Sequence, residues 1–324
     1  MKRLLSACKE ITVPSISMSF PGRINMESFL PRNRKDKVVI VMGATGTGKS
    51  RLSIDLATKF PAEIINSDKM QVYKGLDIAT NKVTDDECHG IAHHLLGFVD
   101  PNVDFTADDF RHEASLVVES IVANDRIPII VGGSNSFIKA LVHNNIEFQS
   151  RYCCCFLWVH VSLPVLQSFV SKRVDRMVQS GLVDEIQRFY NPKLTNSKIG
   201  LRRAIGVPEL DHFFKNENSE NLKEAINKIK ANTCKLASRQ LQNILSLQTQ
   251  MEWDLHHLDA TEVFLKHGFE ADEAWERLVA RPSGLIVRDF LYEERDFPKI
   301  MNTNSVITPP SMTTAVNAIA AVAR

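Results

Sequence analysis

The stretch Val38-Val39-Ile40-Val41-Met42-Gly43-Ala44-Thr45-Gly46-Thr47-Gly48-Lys49-Ser50 decides how the rest of the chain is read. Five apolar residues predict a buried strand, a glycine-rich turn follows, and a helical pattern begins near Lys49. All eight positions from Gly43 to Ser50 fit a phosphate-binding loop, and the strand before it and the helix after it supply the context such a loop needs. Glycine lets the backbone curl so that successive N–H groups point inward, and the helix directs the positive end of its dipole at the anion. Lys49 adds a mobile charge. The Ser50 hydroxyl can join the shell of a magnesium ion that bridges phosphate oxygens. The protein is therefore expected to handle a polyphosphate with Mg2+ as its cofactor.

Working outward, further short apolar runs predict strands at Ala62–Asn66, ending at Ser67-Asp68, at Ile127–Val131, ending at Gly132-Gly133, and at 154–159, ending near His160. A helical segment at 108–124 lies between two of them. Continuous apolar strands alternating with helices predict an α/β fold, a P-loop NTPase-like doubly wound parallel sheet buried on both faces. Function should then gather at the carboxyl ends of the strands, which puts the phosphate loop, Asp68, the Gly132-Gly133 turn and Ser162 on one rim. From Leu163 the pattern turns helical to Gln179, Gly181 interrupts it, and Leu182 to Tyr190 continues. Asn191-Pro192 ends this stretch, Asn216 to Ser219 marks a polar loop, and a long helix is expected from Leu222 to Gln250. The expected organisation is an arm over residues 1–36, an α/β core over 37–190, an appended mainly helical region over 191–290 and a flexible tail over 291–324.

Bulk properties bound the partners. The chain has 324 residues, 39 basic and 38 acidic, for a net charge of +1, so no global field draws in a nucleic-acid backbone and no nucleic-acid partner is expected. Residues 1–36 carry seven basic and three acidic side chains, five serines and no long apolar run. That composition suits an organelle transit peptide better than a secretory signal, so an organelle address is expected, with the cytoplasm as the alternative. No apolar stretch has the length of a membrane span, so no membrane partner is expected, and a monomer is anticipated. The six cysteines lack the spaced framework of small secreted domains. Cys153, Cys154 and Cys155 read as small strand residues. His93 and His94, with Cys88 and His89, invite a metal reading, but a packed loop explains the pair and a phosphate-loop site wants a metal held by oxygen.

A phosphate loop could hold the donor of a phosphoryl transfer, a nucleotide switch, or a diphosphate that departs as a leaving group. Hydrolysing nucleotidases usually place a carboxylate at the end of a second buried strand, and that arrangement is not visible here. The one carboxylate at an expected strand end is Asp68. It could take a proton from an incoming nucleophile or merely cap the next turn.

Several motifs decide among these readings. Gly43 to Ser50, Asn66 to Gln71 with Tyr73-Lys74-Gly75-Leu76-Asp77-Ile78, His93-His94-Leu95-Leu96-Gly97 and Gly132-Gly133-Ser134-Asn135-Ser136 resemble the isopentenyltransferases that prenylate the N6 amine of adenine, a superfamily that includes the tRNA dimethylallyltransferases. Arg173-Val174-Asp175, Gly181-Leu182-Val183-Asp184-Glu185, the run from Arg202 to Leu210, Ile229 to Cys234 and Leu258 to Leu265 are similar to the plant adenylate isopentenyltransferases in particular, and the likeness runs from about Lys37 to Leu291.

The resemblance implies transfer of a dimethylallyl group from dimethylallyl diphosphate to N6 of AMP, ADP or ATP, with release of diphosphate, the first step of cytokinin biosynthesis. It places the donor's diphosphate at Gly43, Ala44, Thr45, Gly46, Thr47, Gly48, Lys49 and Ser50, with magnesium on Ser50. Thr45 matches the threonine that hydrogen-bonds the bridging oxygen, Asp68 the general base and Arg173 the residue that clamps the departing diphosphate. Ser67, Gln71, Gly133 and Ser134 lie in matched substrate-side motifs. Arg203, Lys235 and Arg239 lie in motifs resembling the nucleotide-side surface. The chain departs from the pattern at Ala92 (usually Pro), Cys153 (usually Asp or Asn) and His160 (usually Asp), the last an acid expected near the site. A tRNA dimethylallyltransferase and a small-molecule kinase are the alternatives, though the near-neutral charge and the lack of a carboxy-terminal cysteine-histidine zinc spacing speak against the former.

Overall fold

The computed structural model describes residues 35–194, 198–215 and 219–292. Residues 1–34 of the expected arm, 216–218 of the expected polar loop and 293–324 of the expected tail therefore lie outside the described residues, and Asp36, assigned to the arm, opens the first strand.

Six parallel strands form one sheet: β1 (Asp36–Met42), β2 (Ala62–Asn66), β3 (His93–His94), β4 (Ile127–Val131), β5 (Tyr152–His160) and β6 (Leu255–Asp259). Their spatial order is β3-β2-β4-β1-β5-β6, with Val39 beside Ile129 on one side and Cys155 on the other. From β1 the chain moves to β2 on one side, and from β4 it passes to β5 on the other. The carboxyl end of β1 thus lies between strands whose connections leave in opposite directions, where an open parallel sheet leaves a crevice.

Helices cover both faces: α1 (Lys49–Lys59), α2 (Asp77–Thr80), α3 (Ala107–Ala123), α4 (Asn135–Val142), α5 (Ile146–Arg151), α6 (Leu163–Gln179), α7 (Leu182–Phe189), α8 (Val207–Lys215), α9 (Ser219–Met251), α10 (Thr261–Leu265), α11 (Phe269–Trp275) and α12 (Arg281–Tyr292). A π-helical turn, Glu276–Ala280, joins the last two. Alternate residues of β1 face opposite cores, as the pleat requires. Val38, Ile40 and Met42 pack with Phe110 of α3, Phe137 of α4 and Ile244 of α9, whereas Val39 and Val41 pack with Leu52 of α1, Val170 of α6 and Trp275 of α11. Burial on both sides is why β1 and β4 read as unbroken apolar runs. The rings of Phe110 and Phe137 stack at 4.5 Å between centroids.

The expected strands at 62–66 and 127–131 and the helix at 163–179 form with those bounds, and Gly181 takes a left-handed φ of 99° at the start of α7. Glu185 of α7 reaches across to cap α2, its two carboxylate oxygens accepting from the amides of Ile78 at 3.0 Å and Ala79 at 2.9 Å. Two strands go beyond the sequence reading. β3 is a two-residue edge strand, and β6, drawn from the region expected to be helical, extends the sheet beside β5.

Candidate active site

A cavity of about 1600 Å3 opens at the carboxyl ends of the strands, and Thr45, Lys49, Asp68, Gly133, Arg173 and Arg239 all contribute to its wall. The phosphate loop turns tightly from β1 into α1. The Thr47 hydroxyl donates to the Ala44 carbonyl at 3.0 Å and the Lys49 ammonium donates to the same oxygen at 2.7 Å. Gly48 sits at φ 93°, and a Cβ there would come within 2.7 Å of the Trp275 indole, so this position needs glycine for its backbone and its space alike. The Lys49, Ser50 and Arg51 amides lie in the first turn of α1, ahead of the Leu52 amide that bonds Gly48 at 3.0 Å. They have no intrahelical partner and suit an anion.

Burial brings Lys49 down to about 8; the Asp68 carboxylate opposes that shift and the Arg173 guanidinium adds to it. Arg173 enters from α6, halfway along the face that also carries buried Val170 and Val174. Its Nη2 donates to the Thr45 hydroxyl at 3.0 Å. Burial, with a contribution from Arg176, lowers Arg173 to about 10, against the pull of Asp68. It stays charged at neutral pH. Its Nε is buried with no hydrogen-bond partner among the described residues. An unpaired guanidinium N–H on a wall residue is a donor waiting for an acceptor.

Asp68 follows β2 in a turn held by side chains. Its amide donates to Asn66 Oδ1 at 3.2 Å, Asn66 Nδ2 donates to the Leu95 carbonyl at 3.0 Å, and Asp68 Oδ1 accepts from the Met70 amide at 2.9 Å. The turn-capping role and the placement in the cavity wall therefore coexist. Among the described residues Oδ2 accepts no hydrogen bond, which leaves that oxygen available to a substrate N–H. Neighbouring segments lock the turn in place: the Ser134 hydroxyl accepts from the Lys69 amide at 2.8 Å, and the Ser134 amide donates to the Ser67 carbonyl at 3.3 Å.

The remaining expected site residues divide. Gly46, Gly48, Ser50, Gln71, Ser134, Arg203 and Arg239 line the cavity together with the residues above. Gly43, Ala44 and Thr47 frame the loop beneath its surface, and Ser67 is fully buried behind the wall. Gln71 spends its amide nitrogen on the carbonyls of Thr80 and Asn81, 3.1 Å each, and so holds the end of α2. Arg203 is ion-paired to Asp104 at 2.8 Å and donates to the Tyr73 hydroxyl at 3.4 Å, which ties it into the scaffold. Lys235 does not line the cavity, because α9 presents Leu236, Arg239 and Gln240 there instead.

Two residues at strand ends stand apart from the cavity. Ser162 is not part of the wall; its amide donates to the Thr261 hydroxyl at 2.9 Å. His160 lies outside it as well. It shares a sheet face with Trp158 and His257, ring centroids 5.4 and 5.0 Å away, and burial together with His257 lowers its pKa against the influence of Asp259. His94 pairs with Glu63 at 2.6 Å and His93 Nδ1 lies 2.8 Å from the Ile91 carbonyl, which accounts for both imidazoles. The sequence reading missed Lys69, Lys172, Arg176 and Trp275, which line the cavity, and Gln240, which binds the phosphate loop itself. Arg176 was visible one turn after Arg173; Trp275 gave no signal because its contact with Gly48 is made across the chain.

A family model described as IPP transferase matches residues 71–151 and 144–244. Adenylate isopentenyltransferase 5, chloroplastic, of Arabidopsis thaliana is 59% identical over 300 residues, which cover 90% of this chain and 90% of that protein. Adenylate isopentenyltransferase 7, mitochondrial, of the same organism is 51% identical over 300 residues with the same coverage of both. More distant is its tRNA dimethylallyltransferase 2, 31% identical, with 81% of this chain and 82% of that protein covered. Among solved structures, a eukaryotic dimethylallyltransferase acting on tRNA superposes with a TM-score of 0.70 over 81% of this chain and 82% of its own at 24% identity, a likeness of fold. The phosphate loop, the carboxylate at the end of β2 and the arginine on α6 thus sit in a chain that belongs to the IPP transferase family, among its adenylate isopentenyltransferases.

Proposed function

We propose that the protein transfers the dimethylallyl group of dimethylallyl diphosphate to N6 of AMP, ADP or ATP, releasing diphosphate and opening cytokinin biosynthesis. One observation carries the reading: Thr45 bonded to Arg173, Lys49 and Asp68 share one cavity wall. In this chemistry the adenine nitrogen attacks the allylic carbon while the carbon–oxygen bond breaks, and negative charge grows on the bridging oxygen. The Thr45 hydroxyl, the Arg173 guanidinium and Lys49 offer donors to that charge, which stabilises the transition state more than the ground state. Asp68 Oδ2 takes the proton that N6 loses. The remainder of the rate comes from alignment of the two substrates and exclusion of water.

Magnesium fits the donor set. The exposed Ser50 hydroxyl lies in the wall, and among the described residues no group of three or more His, Cys, Asp or Glu side chains could hold a metal. A hard cation held by Ser50, phosphate oxygens and water matches that chemistry and would offset charge on the diphosphate.

The decisive experiment incubates the protein with dimethylallyl diphosphate and, separately, AMP, ADP, ATP and a tRNA anticodon stem-loop. Diphosphate release that requires a free adenine nucleotide supports the reading. Preference for the stem-loop would replace it with the tRNA activity, and labelled γ-phosphate on an acceptor would replace it with a kinase. The basic, serine-containing arm and the names of the chloroplastic relatives support a plastid address, with a mitochondrial relative as the contrary example. Fusing residues 1–60 to a fluorescent reporter tests it: plastid fluorescence supports the address and diffuse fluorescence rejects it.

A further inference from the structure

Gln240 ties the phosphate loop to the Gly133 turn, which adjoins the segment that holds Asp68 in place. It projects from the middle of α9 at only 7% exposure. Its Oε1 accepts from the Thr45 amide at 2.8 Å and its Nε2 donates to the Gly133 carbonyl at 2.9 Å. Its own carbonyl accepts from Asn135 Nδ2 at 3.1 Å, which fastens α9 to the start of α4. An oxygen opposite an N–H and a nitrogen opposite a C=O admit a single orientation of the amide, since the flipped one would leave both contacts repulsive. Gly133 is shaped to receive it: a Cβ there would stand 2.3 Å from Gln240 Nε2.

The consequences run in both directions from the amide. The Thr45 peptide N–H is committed to Gln240 and does not take part in the anion cradle, so the peptide plane is held while the Thr45 hydroxyl meets Arg173. Gly133 adjoins Ser134, which holds the turn of Asp68 through the Lys69 amide. A buried glutamine bonded at both ends fixes the spacing of these two loops better than apolar packing would, because hydrogen bonds specify distance and direction.

We infer that Gln240 is a positioning residue for prenyl transfer, setting Thr45 relative to the Asp68 turn, and this rests on the role proposed above for Thr45. Its side-chain amide is engaged by Thr45 and Gly133, so its part is to position and not to react. Its removal should therefore lower kcat and leave the affinities largely intact. The test compares Gln240→Met, which keeps the volume and removes both bonds, with Thr45→Ala and the double variant, by steady-state kinetics with dimethylallyl diphosphate and the preferred adenine nucleotide. Gln240→Met should lose about tenfold or more in kcat, since displacements of about 1 Å cost this much, with each KM within about threefold. In the Thr45→Ala background the same change should cost less than about threefold, because both act through one hydroxyl. Gly133→Ala, which pushes the amide away by its Cβ while leaving Gln240 present, should reproduce the kcat loss and decides the matter if Gln240→Met does not fold. Wild-type kcat in folded Gln240→Met or in Gly133→Ala, or effects that multiply fully in the double variant, would overturn the inference alone. Full activity of Thr45→Ala would overturn the reading of Thr45 and this inference with it.

Discussion

The Arg173 guanidinium and the Thr45 hydroxyl meet at 3.0 Å across the mouth of the phosphate loop, although 127 residues separate them in the chain. The bond orients Thr45 Oγ1 so that its proton is free to be donated, since the oxygen already accepts from Arg173. A hydroxyl polarised in this way is a better donor to a developing anion than one alone.

Arg173→Lys tests that arrangement. The ammonium keeps the charge and loses the planar fork, so it cannot bond Thr45 and also present a second N–H in plane. A loss of about a hundredfold in kcat is expected, the usual scale for one donor to a developing anion. Steady-state diphosphate release measures it, and a loss under about threefold would show that charge alone suffices.

Asp68→Asn preserves Oδ1 as the acceptor of the Met70 amide and so keeps the turn. It replaces the proton-accepting oxygen by a nitrogen that can only donate. Turnover should fall by at least about a hundredfold with donor binding retained, the range of general-base contributions. Calorimetric titration of the donor alongside turnover separates the two effects, and unchanged turnover would exclude Asp68 as the base.

Lys49 makes diphosphate binding depend on pH, because in the free protein it loses its proton at about 8. A bound anion favours the ammonium and raises that value, so binding takes up a proton above it. Affinity for inorganic diphosphate should be flat between pH 7 and 8 and then weaken by up to about tenfold per pH unit. Lys49→Met should bind weakly with no such slope. Asp68→Asn removes an influence that raises Lys49, so its onset should move to lower pH.

His160→Asp would install the acid that the family resemblance leads one to expect at this strand end. Because His160 faces Trp158 and His257 and does not line the cavity, kcat should stay within about threefold, as for changes remote from a site. The new carboxylate would stand beside its strand partner Asp259, so thermal stability should drop slightly at neutral pH and recover on acidification. A large kcat effect with stability unchanged would place the side chain in the reaction.

Much of this molecule can be read along the chain, and particular residues show where that ends. Val38 to Met42 announce a central strand because both of its neighbours and both of its faces are protein. Leu255-His256-His257-Leu258-Asp259 give no such run, since β6 is an edge strand with exposed residues at His257 and Asp259. The two residues of β3 are too few for a pattern. Gln240 is a different case: Ile229, Ala237, Ile244 and Leu247 make a buried stripe on α9, and a glutamine within it was a legible signal of a buried polar contact. Its partner was not legible, for Thr45 lies 195 residues away.

By itself the sequence determined what repeats locally: the strand, loop and helix that make the phosphate cradle, the apolar runs of the buried strands, and the residue types able to donate to an anion or accept a proton. Only the tertiary structure decided which of those groups meet. Arg173 reaches Thr45, Gln240 spans the two loops, His160 turns away and Lys235 stays outside, because side-chain direction depends on which face of a packed helix or strand each residue occupies.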